Sequence, residues 1–237
     1  MRRIDADRLS ARLAARPAIA YDDALPINAR LAPGEVAFQL VDAAPRVLLV
    51  ERRFRDRADL ALTEAGEVEA AAAGAVILGL LGSAEPDAVF TSPRIRARRT
   101  AALCLGAAGL GAEQTDLVAE FDYGEYEGIT SADIMAGRPG WDLWRDGCPG
   151  GETPGAVLAR ASRFVELAAD RAPAGIVVAF THGHMSRALA AAFLGQGAAF
   201  AGLLHNDTAS VAELRDRDGR MALTGWNLRP HGAAVAS

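Results

Sequence analysis

A chain of 237 residues with 51% hydrophobic and 23% charged residues contains enough apolar surface for a buried core, which excludes a disordered chain. The net charge of −5 provides no general attraction for nucleic acid, so we expect no nucleic-acid partner. The sequence contains no lysine, which excludes Schiff-base chemistry by a lysine amine.

Two further features bear on location and on metal or redox chemistry. The N-terminus lacks the apolar run of a signal peptide, and the most apolar segment, residues 70–81, is too short to cross a bilayer. Cys104 and Cys148 are far apart in the sequence and near no histidine cluster, which argues against a disulfide framework or a zinc site. We therefore expect a cytoplasmic protein with no membrane contact, no metal and no cofactor.

The first 45 residues form a predicted N-terminal extension. Residues 4–16 have helical composition and end before Pro17, and residues 36–40 are predicted to form a strand after a segment rich in proline and glycine. The extension either adds this helix and an edge strand to the domain, or acts as a dimerisation arm or lid.

From residue 46 onward, predicted strands alternate with predicted helices. The strands are 46–50, 87–91, 175–181, 209–214 and 220–226, and the helices are about 63–81, 92–108, 154–171 and 185–194. In the second helix, Ser92 is the predicted N-cap and Pro93 the first helical residue. This order predicts an α/β domain over residues 46–230, with a loop-rich capping insert at about 117–153 and a tail at 231–237. We expect a mostly parallel central sheet between two helical layers, a three-layer αβα fold, with ligands beyond the carboxyl ends of the strands.

The alanine-rich segment 70–81 has no convincing polar face. Such a helix is expected to be buried, either in the core of the domain or in a subunit interface. The second alternative would make the protein a homodimer.

Five short segments carry a family resemblance. They are residues 62–66 (LTEAG), 92–101 (SPRIRARRTA), 120–128 (EFDYGEYEG), 149–153 (PGGET) and 181–187 (THGHMSR). In this order and spacing they resemble the motifs of the histidine phosphatase, or phosphoglycerate mutase-like, superfamily. The resemblance implies the fold of that superfamily.

The resemblance also implies roles for individual residues. Family members surround a phosphoryl group with two arginines, two histidines and a carboxylic acid. By motif, Arg96 corresponds to the second arginine, Glu120 to the acid and His182 to the second histidine. Ser92 and Gly183, which lie in the same segments, are expected to contact the ligand.

The family's first catalytic histidine is missing. Where an Arg-His-Gly segment should follow the first strand, the chain reads Glu51-Arg52-Arg53, and no histidine precedes His182. Arginine stays protonated in proteins and has no lone pair with which to attack phosphorus. Arg52 either restores positive charge to the pocket or pairs with Glu51 or Glu120.

Three functions are compatible with this pattern. Arg96, Glu120 and His182 still provide a cation, an acid and a base, which predicts an enzyme acting on a small phosphate or carboxylate by elimination, isomerisation or hydrolysis. The alternative is a pseudophosphatase that binds an anion or a protein partner without turnover. Residual phosphatase activity with His182 as nucleophile is disfavoured, because the family geometry sets this histidine beside the phosphoryl group and not in line behind it.

Overall fold

The computed structural model describes residues 59–229. Its helices are α1 (Glu64–Leu81), α2 (Ile95–Leu105), α3 (Ser131–Gly137), α4 (Leu143–Asp146), α5 (Pro154–Arg171), α6 (Gly183–Phe193) and α7 (Ala198–Ala201). Its strands are β1 (Ala88–Thr91), β2 (Glu113–Gln114), β3 (Val177–Phe180), β4 (Val211–Arg217) and β5 (Arg220–Leu228). The predicted extension (1–45), the predicted strand 46–50, Arg52 and the tail (231–237) lie outside the described residues, and the domain boundaries stay predictions.

The parallel sheet is built around β1. In the described part of the chain, β1 lies between β2 and β3 and pairs with both in parallel. Phe90 is in register with Ala179 on β3 and with Glu113 on β2. Strands β4 and β5 form an antiparallel hairpin that turns at Asp218 and Gly219. The predicted α/β fold with parallel strands is confirmed.

Both faces of the parallel sheet are buried, as expected for strands with continuous apolar sequences. Phe90, Val177 and Ala179 belong to one apolar cluster, which also contains residues of α5 and α6. Val89, Val178 and Phe180 belong to a second cluster, which contains residues of α1 and α2. Because successive side chains of a strand point to opposite faces, this division places one helical layer on each side of the sheet.

Two helices begin where the sequence predicts. Thr63 accepts a hydrogen bond from the N–H of Gly66 at the start of α1. Thr153 accepts one from the N–H of Ala156 at the start of α5, and Pro154 occupies the first helical position. In both cases a threonine hydroxyl satisfies an N–H group that has no partner within the helix.

The predicted start of α2 is wrong by two to three residues. Ser92 is not the N-cap, and Pro93 is not the first helical residue, because the N–H of Ser92 still donates to the carbonyl of Phe180 (2.9 Å) and so continues the β1–β3 pairing. The helix begins at Ile95, after Arg94. It ends at Leu105 and is followed by a short 3-10 turn, Gly106–Ala108.

Helix α1 packs closely on α2. Its buried residues are Ala70, Ala73, Gly74, Ile77 and Leu81, while Val68 remains 71% exposed. One face of the apolar helix is therefore buried in the core of the domain, which is the first of the two predicted alternatives. The homodimer, which the second alternative implies, stays a prediction. No helix in the described segment is both long and apolar enough to span a membrane.

Candidate active site

The carboxyl ends of β1 and β3 bring Ser92 and His182 together. Nε2 of His182 lies 2.7 Å from Oγ of Ser92, and neither side chain has exposed surface. Thr181, the residue before His182, donates its hydroxyl to the carbonyl of Val118 (2.7 Å) and so ties this strand end to the loop that precedes Glu120. The parallel pairing of two strands thus places side chains from residues 90 positions apart in direct contact.

Arg96 is a buried cation. It lies in the first turn of α2, and only 9% of the residue is exposed. Among residues 59–229, its Nε has no hydrogen-bond acceptor, and no carboxylate forms an ion pair with its guanidinium. A buried guanidinium that has no carboxylate within ion-pair distance in this part of the chain is suited to bind an anionic ligand.

Glu120 places a half-buried carboxyl group at the N-terminus of α6. It accepts hydrogen bonds from the N–H groups of Phe121 (2.9 Å), Met185 (3.0 Å) and His184 (3.4 Å). Burial raises the pKa of Glu120, and these hydrogen bonds together with the charge of Arg96 oppose the increase. A carboxyl group with a raised pKa holds its proton at higher pH and is suited to act as a general acid.

The backbone N–H groups of His184 and Met185 hold the side chain of Glu120 at the start of α6. The N-cap residue of α6 is His182, and its side chain donates or accepts no capping hydrogen bond. The N–H groups in the first turn of α6 therefore receive an acceptor from another part of the chain, the side chain of Glu120. Gly183 is the first residue of the helix and connects His182 directly to this turn.

His182 has the opposite electrostatic tendency. Burial lowers the pKa of its imidazole well below the ordinary value, and the positive charges of Arg96, Arg94 and Arg160 lower it further. The ring is therefore neutral at physiological pH, and a neutral imidazole can accept a proton. Glu120 and His182 thus have pKa values shifted in directions that suit an acid and a base.

The low pKa of His182 predicts a pH-dependent stability. Between that pKa and the ordinary value of about 6.5, the unfolded chain binds a proton that the folded chain does not. The contribution of His182 to the free energy of unfolding therefore rises with pH across this window and is lost as the pH falls. Urea unfolding at a series of pH values should show this slope in the wild type and not in His182→Gln, which can still bond to Ser92.

Glu120 contributes a slope of opposite sign, because its raised pKa makes the folded chain bind the extra proton. The pH dependence of the free energy of unfolding is therefore compared between the wild type and His182→Gln, and is not interpreted from the wild type alone. Equal slopes for the wild type and His182→Gln would contradict the prediction.

Two cavities meet at Arg96. The larger is a cleft of about 580 Å³. Its lining includes Arg94, Arg96, Glu120, Tyr123, Glu152 and Arg160. The smaller, about 20 Å³, is lined by Arg96 and His182 among others, and a space of this size holds one water molecule. Arg96 and Glu120 thus border the cleft, while His182 borders the small cavity.

The structure therefore brings together five of the six residues predicted for the site. Ser92 touches His182, Gly183 joins His182 to α6, and Arg96 and Glu120 line the same cleft. Arg52 lies outside the described residues. In residues 59–229 no group of three or more histidine, cysteine, aspartate or glutamate side chains is arranged to hold a metal ion.

Two contacts near Glu120 were not predicted from the sequence. The hydroxyl of Tyr123 lies 2.6 Å from Nδ1 of His184, so the loop after Glu120 is joined to the first turn of α6. Arg160 of α5 contacts the loop before Glu120 at several carbonyl groups. No local motif marks such contacts, because their partners lie about 40 to 60 residues apart in the sequence.

Comparison with known proteins gives a consistent assignment. The family model described as the histidine phosphatase superfamily (branch 1) matches residues 47–229. An acid phosphatase of Mycobacterium tuberculosis is 37% identical over 186 residues, which cover 76% of this chain and 86% of that protein. A sedoheptulose 1,7-bisphosphatase of Saccharomyces cerevisiae is 33% identical over 165 residues, which cover 59% of this chain and 60% of the yeast protein.

Solved structures show the same relationship. The product of a Mycobacterium tuberculosis open reading frame superposes with a TM-score of 0.70 at 34% identity, covering 78% of this chain and 98% of that chain. A mycobacterial glucosyl-3-phosphoglycerate phosphatase superposes with a TM-score of 0.66 at 28% identity, covering 77% of this chain and 98% of that chain. The similarity therefore extends through nearly the whole length of each of the two solved structures.

Proposed function

The chain belongs to the histidine phosphatase superfamily, and we propose that it binds a small phosphate or carboxylate ligand at Arg96 without forming a phosphohistidine. The main observation in support is the buried guanidinium of Arg96. It forms no ion pair with a carboxylate in residues 59–229, and it borders a cleft large enough for a metabolite. The names of the relatives, which are phosphatases of phosphorylated compounds, support a phosphorylated ligand.

The chemistry that the site supports best is proton transfer. Glu120 borders the cleft and its pKa is raised, so it is the proton donor. His182 is neutral and next to Arg96, so it is the base. This pair suits an elimination or an isomerisation, in which a bound anion loses a proton at one atom and gains one at another. It also suits a hydrolysis, in which the attacking water loses a proton to the base and the leaving group gains one from the acid.

Binding without turnover is the second candidate, and the burial of His182 favours it. The imidazole has no exposed surface and its Nδ1 has no hydrogen-bond partner among residues 59–229. It borders the small cavity and not the cleft. If His182 stays closed off from the ligand, the cleft retains an anion-binding role and the acid at Glu120 has no base to complement it.

The test of ligand binding is a calorimetric titration with orthovanadate, inorganic phosphate and 3-phosphoglycerate as probes. We expect Arg96→Ala to raise the Kd of the best probe about 10- to 100-fold, the effect of losing a charged hydrogen-bonding partner. Arg98→Ala is the matched control, because Arg98 is an exposed arginine two residues further along the same helix. Equal affinities for the wild type and Arg96→Ala would contradict the proposal.

The same variants separate the two candidate functions. Glu120→Gln keeps an oxygen that can accept the N–H groups of α6 but cannot donate a carboxylic acid proton. If the protein is an enzyme, we expect this variant to bind the substrate and to lose turnover. If wild-type protein binds a probe and converts no phosphorylated or carboxylated compound of a metabolite panel, the binding function is the correct one.

A further inference from the structure

Arg160 makes an unusually large set of hydrogen bonds to the loop that carries Glu120. Its Nη1 donates to the carbonyls of Asp116 (3.2 Å), Leu117 (3.2 Å) and Ala119 (2.7 Å), and its Nη2 donates to the carbonyl of Glu120 itself (3.2 Å). Four backbone carbonyls of one short segment thus accept hydrogen bonds from a single side chain, and only that of Asp116 has a further donor in the segment, the N–H of Ala119 (3.0 Å). The segment contains only a 3-10 turn, Asp116–Val118, and therefore has few backbone partners of its own.

Glu152 orients the guanidinium of Arg160. Its two carboxylate oxygens accept from Nε (2.9 Å) and Nη2 (2.7 Å) of Arg160, which is the paired geometry that makes arginine–carboxylate contacts specific. The side chains are 13% and 20% exposed, respectively, so solvent screens this ion pair less than a surface pair. Glu152 also accepts the N–H of Asp122 (3.0 Å) and so reaches the chain on the far side of Glu120.

Glu120 is consequently held from two directions. Arg160 binds its backbone carbonyl, and the N–H groups of α6 bind its carboxylate. If the contacts of Arg160 are lost, the loop is held less firmly against α6, and the carboxyl group becomes more exposed to water than it is at the edge of the cleft. Hydration removes the cause that raises its pKa, which is burial.

We propose that Arg160 is a positioning residue for Glu120, with Glu152 holding the guanidinium in the required orientation. This inference rests on the proposed role of Glu120 as the acid of the site. It means that α5, which carries Arg160, and the segment around Glu152 together position the acid that lines the cleft. Lysine cannot replace Arg160, because an ammonium group cannot hold several carbonyls and a carboxylate in one plane.

The experiment measures Glu120 in the ligand-free full-length protein. The pKa of its carboxyl group is measured from the pH dependence of the carboxyl-carbon chemical shift, by NMR of protein carrying ¹³C-labelled glutamate. Glu120→Gln identifies the signal. Hydrogen exchange is measured at the amide of Met185. In Arg160→Lys we expect the pKa of Glu120 to fall toward the ordinary glutamate value and the Met185 amide to exchange at least about tenfold faster. Arg163→Lys, on the exposed side of the same helix, should leave both unchanged.

A purely structural role for Arg160 gives a different result. In that case Arg160→Lys lowers Tm but leaves the pKa of Glu120 and the exchange of Met185 as in the wild type, and the proposal is overturned. Glu152→Gln, which keeps one acceptor for Arg160, provides the same two readouts if Arg160→Lys does not fold. Because no ligand is used, this test can fail while the Arg96-dependent binding holds, and the reverse is also true.

Discussion

Replacing Gly124 by alanine is expected to lower the free energy of unfolding by about 3 kcal/mol or more. Gly124 has a φ of +52°, a backbone conformation that residues with a Cβ seldom adopt. A Cβ at this position would also lie 2.2 Å from the carbonyl oxygen of Pro149 and 2.3 Å from the amide nitrogen of Gly151. Both neighbours are backbone atoms, so a side-chain rotation cannot relieve the contact.

The close approach at Gly124 joins the segment 120–128 to the segment 149–153. The N–H of Glu125 donates to the carbonyl of Pro149 (2.8 Å), and the N–H of Glu152 donates to the carbonyl of Asp122 (2.9 Å). Alanine at position 124 must separate these two segments or distort them. Because Glu152 holds Arg160 and Asp122 follows shortly after Glu120, we expect the variant to lose ligand affinity as well as stability.

Thermal and urea unfolding of Gly124→Ala measure the effect. Gly79→Ala is the control, because Gly79 lies within α1 and a Cβ there has no atom within 4 Å. That substitution should be neutral or stabilising by up to about 1 kcal/mol, the helix preference for alanine over glycine. If Gly124→Ala unfolds like the wild type, the close contact between the two segments is wrong.

Local rules explain the parts of the fold that the sequence predicted well. Thr63 and Thr153 mark helix starts because their hydroxyls bond to an N–H three residues further on, an interaction that depends on neighbouring residues alone. The buried strand β3 was predicted from a continuous apolar run. Such features require no knowledge of the rest of the chain.

The errors arose where tertiary contacts override local preference. Ser92 was predicted as a helix N-cap, but its N–H pairs with Phe180, 88 residues away in the sequence, and its hydroxyl pairs with His182. Strand β2 has only two residues, both exposed, and therefore no hydrophobic pattern. Its existence depends on pairing with β1.

The site follows the same division. Motif resemblance identified Arg96, Glu120 and His182. It could not show that the carboxylate of Glu120 accepts the N–H groups at the start of α6 or that Arg160 holds its loop. These contacts join segments about 40 to 65 residues apart. Only the fold brings them together.

The proposed function makes its most direct prediction for covalent chemistry: no phosphohistidine should form. The resemblance to the superfamily implies an attacking histidine directly after the first strand. This chain has no histidine before His182. Incubation with ³²P-labelled phosphomonoesters, followed by an alkaline quench, should leave no label on the protein. We expect phosphomonoester hydrolysis to be at least about 10³-fold slower than that of an enzyme with the nucleophile, because a missing nucleophile removes the covalent route.

The acid phosphatase of Mycobacterium tuberculosis, which shares 37% identity with this chain, is the parallel sample for labelling and turnover. His182→Gln distinguishes the alternatives in this chain. An acid-labile phosphate on the wild type that disappears in His182→Gln would make His182 the nucleophile and would contradict the proposal. That result would require the imidazole to leave its contact with Ser92 and reach the ligand from a position where it now has no exposed surface. Absence of label together with Arg96-dependent binding would instead mean that the cleft keeps the family's anion site without its covalent chemistry.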